Sequence, residues 1–199
     1  MSKRKISILL NSLIVILETI GLIVTIKVNH RISYEYYTED SNILALISSL
    51  LFVIFSKGKI PKWLQMFKYM TTICLTVTFL VVIFILAPMY NFNYSYLLLH
   101  NSLLYQHLLC PILIIITFIF FDEIDELNFK DNLIGISLTV IYAIVLIVLN
   151  ILELVSGPYP FLMVKNQSVM MSIIWFVVIL SLTYVIGLLL RKIYVKLKK

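Results

Sequence analysis

The chain has 199 residues, of which 61% are hydrophobic and only 13% charged. Its mean hydropathy of +1.03 excludes an ordinary soluble domain and asks for a bilayer as solvent. The formal net charge of +6 comes from Lys and Arg clustered at segment ends, an orientation signal rather than a nucleic-acid footprint.

Six apolar runs approach or exceed the length of about 20 helical residues needed to cross a hydrocarbon core. They fall at about 6–26, 38–56, 66–88, 97–121, 132–154 and 168–190. None shows the alternation of barrel strands, and lipid forces internal backbone pairing. The expectation is therefore an all-α, polytopic integral membrane protein, a single six-transmembrane-helix bundle over residues 1–199.

The first run follows SKRK and is interrupted by Asn11 and Glu18. No small-residue cleavage site follows it, so it reads as a retained helix rather than a signal peptide. Glu18 lies about 18 Å along that helix by the rise per residue. An ionisable group at that depth faces the bundle interior, either as a packing device bonded to a neighbour such as Asn11 or as part of a site.

The second run opens inside YYTEDSNIL, residues 36–44. Thr-Glu-Asp-Ser reads as an N-cap followed by acids in the first turn, which suits the helix dipole. The same hydroxyl, on Thr38, is also a candidate nucleophile. The third run is apolar from about 66, after a connection, 57–68, with four Lys.

The fourth run begins LLLHNSLLYQHLLCP. In one continuous helix His100 and His107 share a face, about 10 Å apart along the axis. Pro111 lacks the N–H that would bond the His107 carbonyl, which predicts a kink beside that histidine. Zinc ligands on one helix stand three or four apart, and bis-histidine haem needs two facing helices. No metal and no cofactor is therefore expected. Cys74 and Cys110 read as free, buried thiols. Asn150 and Glu153 lie toward the outer end of the fifth run. Ser-Gly-Pro after it is stop chemistry, with Tyr159 and Phe161 as interfacial aromatics.

Three elements recur in order: YYT-x-x-SN opening the second helix, a histidine shortly before a proline in the fourth, and GPYPFL after the fifth. This arrangement resembles the androgen-induced-protein family of six-helix membrane hydrolases and its prokaryotic relatives. The resemblance implies a Thr nucleophile, here Thr38, with His107 as its base, cleaving esters of branched hydroxy-fatty-acid lipids. It also implies that the Tyr159 segment folds over the outer mouth as a lid. Ser41 stands where eukaryotic members carry an acid, and His107 precedes its proline by one residue fewer than the family pattern. Ser41 is thus a second candidate nucleophile.

A neutral imidazole suits proton removal from a hydroxyl at ordinary pH. Glu18, Asp40 and Glu153 are the carboxylates available as a third member. Asn42, Tyr37 and the amides opening the second helix are candidate oxyanion donors. The partners expected are membrane lipids and an acyl-ester substrate. Two readings from other classes stand beside this one. One is a small transporter or channel subunit with a polar path through Glu18, His100 and His107. The other is a non-catalytic membrane protein, such as an immunity or stress factor.

Of the 16 basic residues, only Arg4, Arg31 and Arg191 are arginine, and isoleucine is abundant, a bias resembling that of an AT-rich bacterial genome. The expected location is a bacterial plasma membrane. Thirteen of the basic residues belong to the termini and the 57–68 and 122–131 connections, against Lys27, Arg31 and Lys165 on the other side. This places both termini in the cytoplasm. Reporter fusions should show the C-terminus and the 57–68 connection inside; a signal from outside at either would reverse the topology.

Overall fold

The computed structural model describes residues 1–125 and 127–198. Six helices in it are long and apolar enough to span a membrane: the first Lys3–Asn29, the second Tyr37–Lys57, the third Lys62–Met89, the fourth Leu104–Phe121, the fifth Phe129–Ile151 and the sixth Val169–Lys198. Among the described residues no strand occurs, and the expected all-α six-helix bundle is the architecture observed.

The bundle is apolar outside, and its interior combines polar stripes with a hydrophobic core. On the first helix the buried positions are Ser7, Asn11, Ile14, Glu18, Gly21 and Thr25, alternately four and three residues apart. That spacing is one continuous helical stripe. The opposite face presents Leu9, Leu13, Ile16 and Ile23 outward, as a lipid-facing surface requires. The second helix repeats the arrangement, burying Ser41, Asn42, Ala45, Ser48, Ser49 and Phe52. Small residues let the backbones approach, and hydroxyls and amides bond across helices where lipid offers no partner. Ser48 Oγ meets Thr71 Oγ1 at 2.8 Å, and Ser41 Oγ meets Thr78 Oγ1 at 3.0 Å.

The third helix is the bundle's centre, with most of its apolar stretch buried. Lys68 lies within its buried stretch. The sequence reading put Lys68 in the basic connection, but its side chain is fully buried. Its ammonium donates to Asn11 Oδ1 at 2.7 Å and Ser49 Oγ at 2.8 Å. Asn11 in turn donates to Asp122 Oδ1 at 2.9 Å, and Ser7 Oγ donates to the same oxygen at 2.5 Å. Asp122 is likewise buried, not a solvated connection residue. Burial pushes its carboxyl above the usual range, opposed by Lys68 and by the bonds from Ser7 and Asn11. Asn11 thus serves this cluster and not Glu18, as the sequence had suggested. Taking Lys68 out of the basic connection leaves the charge bias between the two faces intact.

The fourth run is not one helix. A short helix, Tyr94–Leu99, ends at His100, and Asn101 takes a left-handed backbone with φ 51°. The span proper starts only at Leu104. The fifth helix opens on a capping box, in which Asn128 Oδ1 accepts from the Lys130 and Asp131 amides and Asp131 accepts from the Asn128 amide. It stops before Ser-Gly-Pro. Glu153 is left-handed at φ 61°, and the Leu154 amide reaches back to the Leu149 carbonyl at 3.0 Å, a Schellman closure that ends the helix on its own.

Lys68→Met, which leaves Asp122 buried opposite no cation, should lower stability by about 3–5 kcal/mol. Thermal unfolding of the detergent-solubilised protein measures this, and Asp122→Asn added to Lys68→Met should recover part of the loss.

Candidate functional site

The faces of the bundle differ. Arg4 donates to the carbonyls of Ser56 and Gly58, and Lys198 to that of Ile124, so both termini and the 57–68 and 122–131 connections gather on one face. The opposite face carries a cavity of about 530 Å³, whose walls include Thr38, Glu39, Ser102, Gln106, His107 and Tyr159.

Thr38 is the second residue of its helix. The N-cap is Tyr36, whose side chain makes no capping bond, so Thr38 is not the cap that Thr-Glu-Asp-Ser suggested. Its hydroxyl instead faces the Tyr159 hydroxyl at 3.4 Å, long for such a pair and therefore a loose hold. The first amide with an intrahelical acceptor is that of Asp40, which bonds the Tyr36 carbonyl at 3.3 Å. The amides of Tyr37, Thr38 and Glu39 precede it and have no intrahelical acceptor, that of Thr38 lying against the Tyr159 oxygen.

His107 arrives from the other side. Pro111 has no N–H for the His107 carbonyl, and residues Leu104–Leu109 adopt a π-helical turn in which the Cys110 amide bonds the Tyr105 carbonyl. The expected kink is thus a one-residue widening of the helix. The break at His100 leaves the last carbonyls of the short helix without partners. One of them, Leu97 O, receives His107 Nδ1 at 2.7 Å. A carbonyl only accepts, so neutral His107 carries its proton on Nδ1 and its lone pair on Nε2. The break also settles the depth of His107. It lies in the first turn of its span, close to the level at which Thr38 opens the second helix.

Asn42 joins the two elements. Its buried amide donates to the Thr38 carbonyl at 2.7 Å and to the Gln106 carbonyl at 3.3 Å. Gln106 Nε2 also reaches Glu39 Oε2 at 3.3 Å and Thr25 Oγ1 at 3.4 Å. Tyr159 is held over Thr38 by stacking on Phe161, with centroids 5.2 Å apart, and by an edge contact with Tyr36. Both aromatics are buried rather than interfacial. Their segment folds back tightly at Gly157, where any side chain would strike the Leu162 carbonyl.

The remaining sequence candidates lie elsewhere. Ser41 bonds the Thr38 carbonyl at 3.1 Å and Thr78 and does not line this cavity. Tyr37 donates to or accepts from Thr139 at 2.7 Å, and the Asn42 amide is committed to carbonyls, so neither is a free oxyanion donor. His100 is exposed and stacked on Tyr96 at 5.3 Å; it does not line the cavity with His107, because the helix assumed to carry both is broken. Glu18 is buried deeper, with the Cys110 thiol beside its carboxyl and, among the described residues, no nitrogen or oxygen donor bonded to either of its oxygens. Glu153 pairs with Lys165 at the surface, and that pair lowers its carboxyl below the usual range. Of the three carboxylates considered, none holds His107. A main-chain carbonyl does, a group that no side-chain pattern announces.

Comparison with protein-family models, with curated proteins and with solved structures finds no match.

Asn42→Leu removes the bond to the Gln106 carbonyl that joins the Thr38 and His107 elements, together with the bond to Thr38 within the second helix. It should cost about 1–3 kcal/mol in stability, measured by thermal unfolding in detergent.

Proposed function

We propose that the cavity on the face opposite the termini hydrolyses an acyl ester taken from the membrane, with Thr38 as nucleophile and His107 as base. The observation that carries this reading is the presence of both Thr38 and His107 in the lining of one cavity, with Nε2 left unprotonated by the Leu97 carbonyl. A threonine hydroxyl needs a neighbouring base, and that base needs a third group to hold it in the right tautomer.

The chemistry follows from these positions. Thr38 turns from Tyr159 toward the cavity and passes its proton to His107 Nε2 as its oxygen adds to the ester carbonyl carbon. The carbonyl π electrons move to the oxygen, where the amides at the start of the second helix and the Tyr159 hydroxyl stabilise the charge. Burial raises the Tyr159 phenol to about 12, which keeps it a protonated donor at neutral pH. Collapse breaks the bond to the leaving alkoxide, which takes the proton from Nε2. Water then gives a proton to Nε2 and adds to the acyl carbon. A second collapse releases a carboxylic acid and restores the Thr38 hydroxyl.

An apolar slot supports a lipid substrate. Thr38 and Tyr159 also line a narrow pocket with Val81, Phe161, Trp175 and Ile179 between the third, fifth and sixth helices, where an acyl chain would lie. The resemblance to the androgen-induced-protein hydrolases, read from YYT, His107 and GPYPFL, accords with this assignment. So does an outward-facing site in a bacterial plasma membrane, with the basic face in the cytoplasm.

Fluorophosphonate labelling tests the reading. Wild type should label, and Thr38→Ala and His107→Ala should not, since loss of a general base costs on the order of 10²–10⁴ in rate. Ser41→Ala should label like wild type. Labelling that needs Ser41 and ignores Thr38 moves the nucleophile; wild type that never labels removes the assignment.

A further inference from the structure

The second large cavity opens at the other end of the molecule. It has a volume of about 500 Å³ and lies among the ends of the first, second, third and sixth helices and the 121–125 segment. Its floor is polar and its wall is apolar, with Ile8, Phe52, Ile60, Phe121 and Ile124. Arg4, Lys59 and Lys198 stand around it, against Glu123 and Asp125.

The floor has few donors to offer a ligand. Ser7 and Asn11 donate to Asp122. Gln65 donates to the Ile60 carbonyl at 2.8 Å and accepts the Asp125 amide. The unused donors belong mainly to the cations. Arg4 is anchored by the Ser56 and Gly58 carbonyls through one terminal nitrogen, which leaves its other N–H groups free. Lys198 is anchored by the Ile124 carbonyl and lies 4.5 Å over the Tyr194 ring. Among the described residues only Lys59 of the three forms an ion pair, with Asp125 at 3.8 Å. Arg4 and Lys198 are therefore held in place by neutral groups; among the described residues neither is paired with a bonded carboxylate, and Glu123, Asp125 and Asp122 act on Lys198 only through space.

Anchored cations with spare donors, beside an apolar wall, select an acceptor-rich anion with an organic part. We propose that this cavity binds a phosphate ester, with its phosphate between Arg4 and Lys198 and its apolar portion against Phe52 and Phe121. Basic pockets between helix ends on the positively charged face of a membrane protein are suited to phosphate headgroups. The same chemistry serves a lipid headgroup or a soluble organic phosphate. The site is independent of Thr38 and His107, and lies on the other face of the bundle.

Calorimetric titration of the full-length protein in neutral detergent distinguishes the sources. Dihexanoyl phosphatidic acid and glycerol 3-phosphate are the two probes. Binding of the first alone assigns a lipid headgroup; binding of both assigns a soluble phosphate ester. Arg4→Gln/Lys198→Gln should weaken either by about thirtyfold, and Lys198→Gln alone by about fivefold. The single variant keeps the test valid if the double one does not fold. Lys27→Gln/Lys165→Gln, on the opposite face, should bind like wild type. Absence of binding to both probes, unchanged binding in the Lys198 variant, or an equal loss in the opposite-face variant overturns the proposal.

Discussion

A cation sits in the middle of this bundle's packing, and much of the interior is organised around keeping it there. Lys68 has no solvent to hold its charge, so its ammonium takes an amide from the first helix and a hydroxyl from the second. The amide then reaches the carboxylate that ends the fourth. An unpaired charge in such surroundings costs several kcal/mol, whereas a fully bonded one also specifies which faces meet. The polar stripes on the first and second helices follow from the same constraint. Their apolar residues face lipid because lipid, unlike water, gains nothing from solvating the other side.

That inversion leaves polar chemistry inside the molecule and opens it at both ends. At the face opposite the termini, Thr38, Glu39, Gln106 and His107 line one cavity. At the basic face, Ser7 and Asn11 form the floor of another. Between them Glu18 is buried beside the Cys110 thiol. These two candidate sites share no lining residue.

The interruption of the fourth helix gives the first of these sites its form. A continuous helix would satisfy the Leu97 carbonyl internally and carry His107 deep into the membrane. The left-handed turn at Asn101 frees that carbonyl, and the π turn imposed by Pro111 widens the backbone around the histidine. One local defect orients the imidazole, and the other adjusts the helix that presents it. Asn42 then fixes the distance between this element and the start of the second helix. Defects of this kind are tolerated in a membrane only where they line a cavity or find internal partners.

The sequence alone determined the number of helices, their approximate limits and the gathering of basic residues on one face, because hydropathy and charge act on each segment separately. It also singled out Thr38, His107 and Tyr159 as residues of interest through short motifs. Other features depended on neighbours remote in the chain. Lys68 and Asp122 look like connection residues until Asn11 and Ser7 are seen beside them. His100 and His107 look paired until the backbone between them turns left-handed. Ser41 and Thr38 look interchangeable until Thr78 claims one hydroxyl and the cavity receives the other. The group that holds His107 was beyond sequence reasoning altogether, since every residue has a carbonyl and only the broken helix leaves this one unsatisfied.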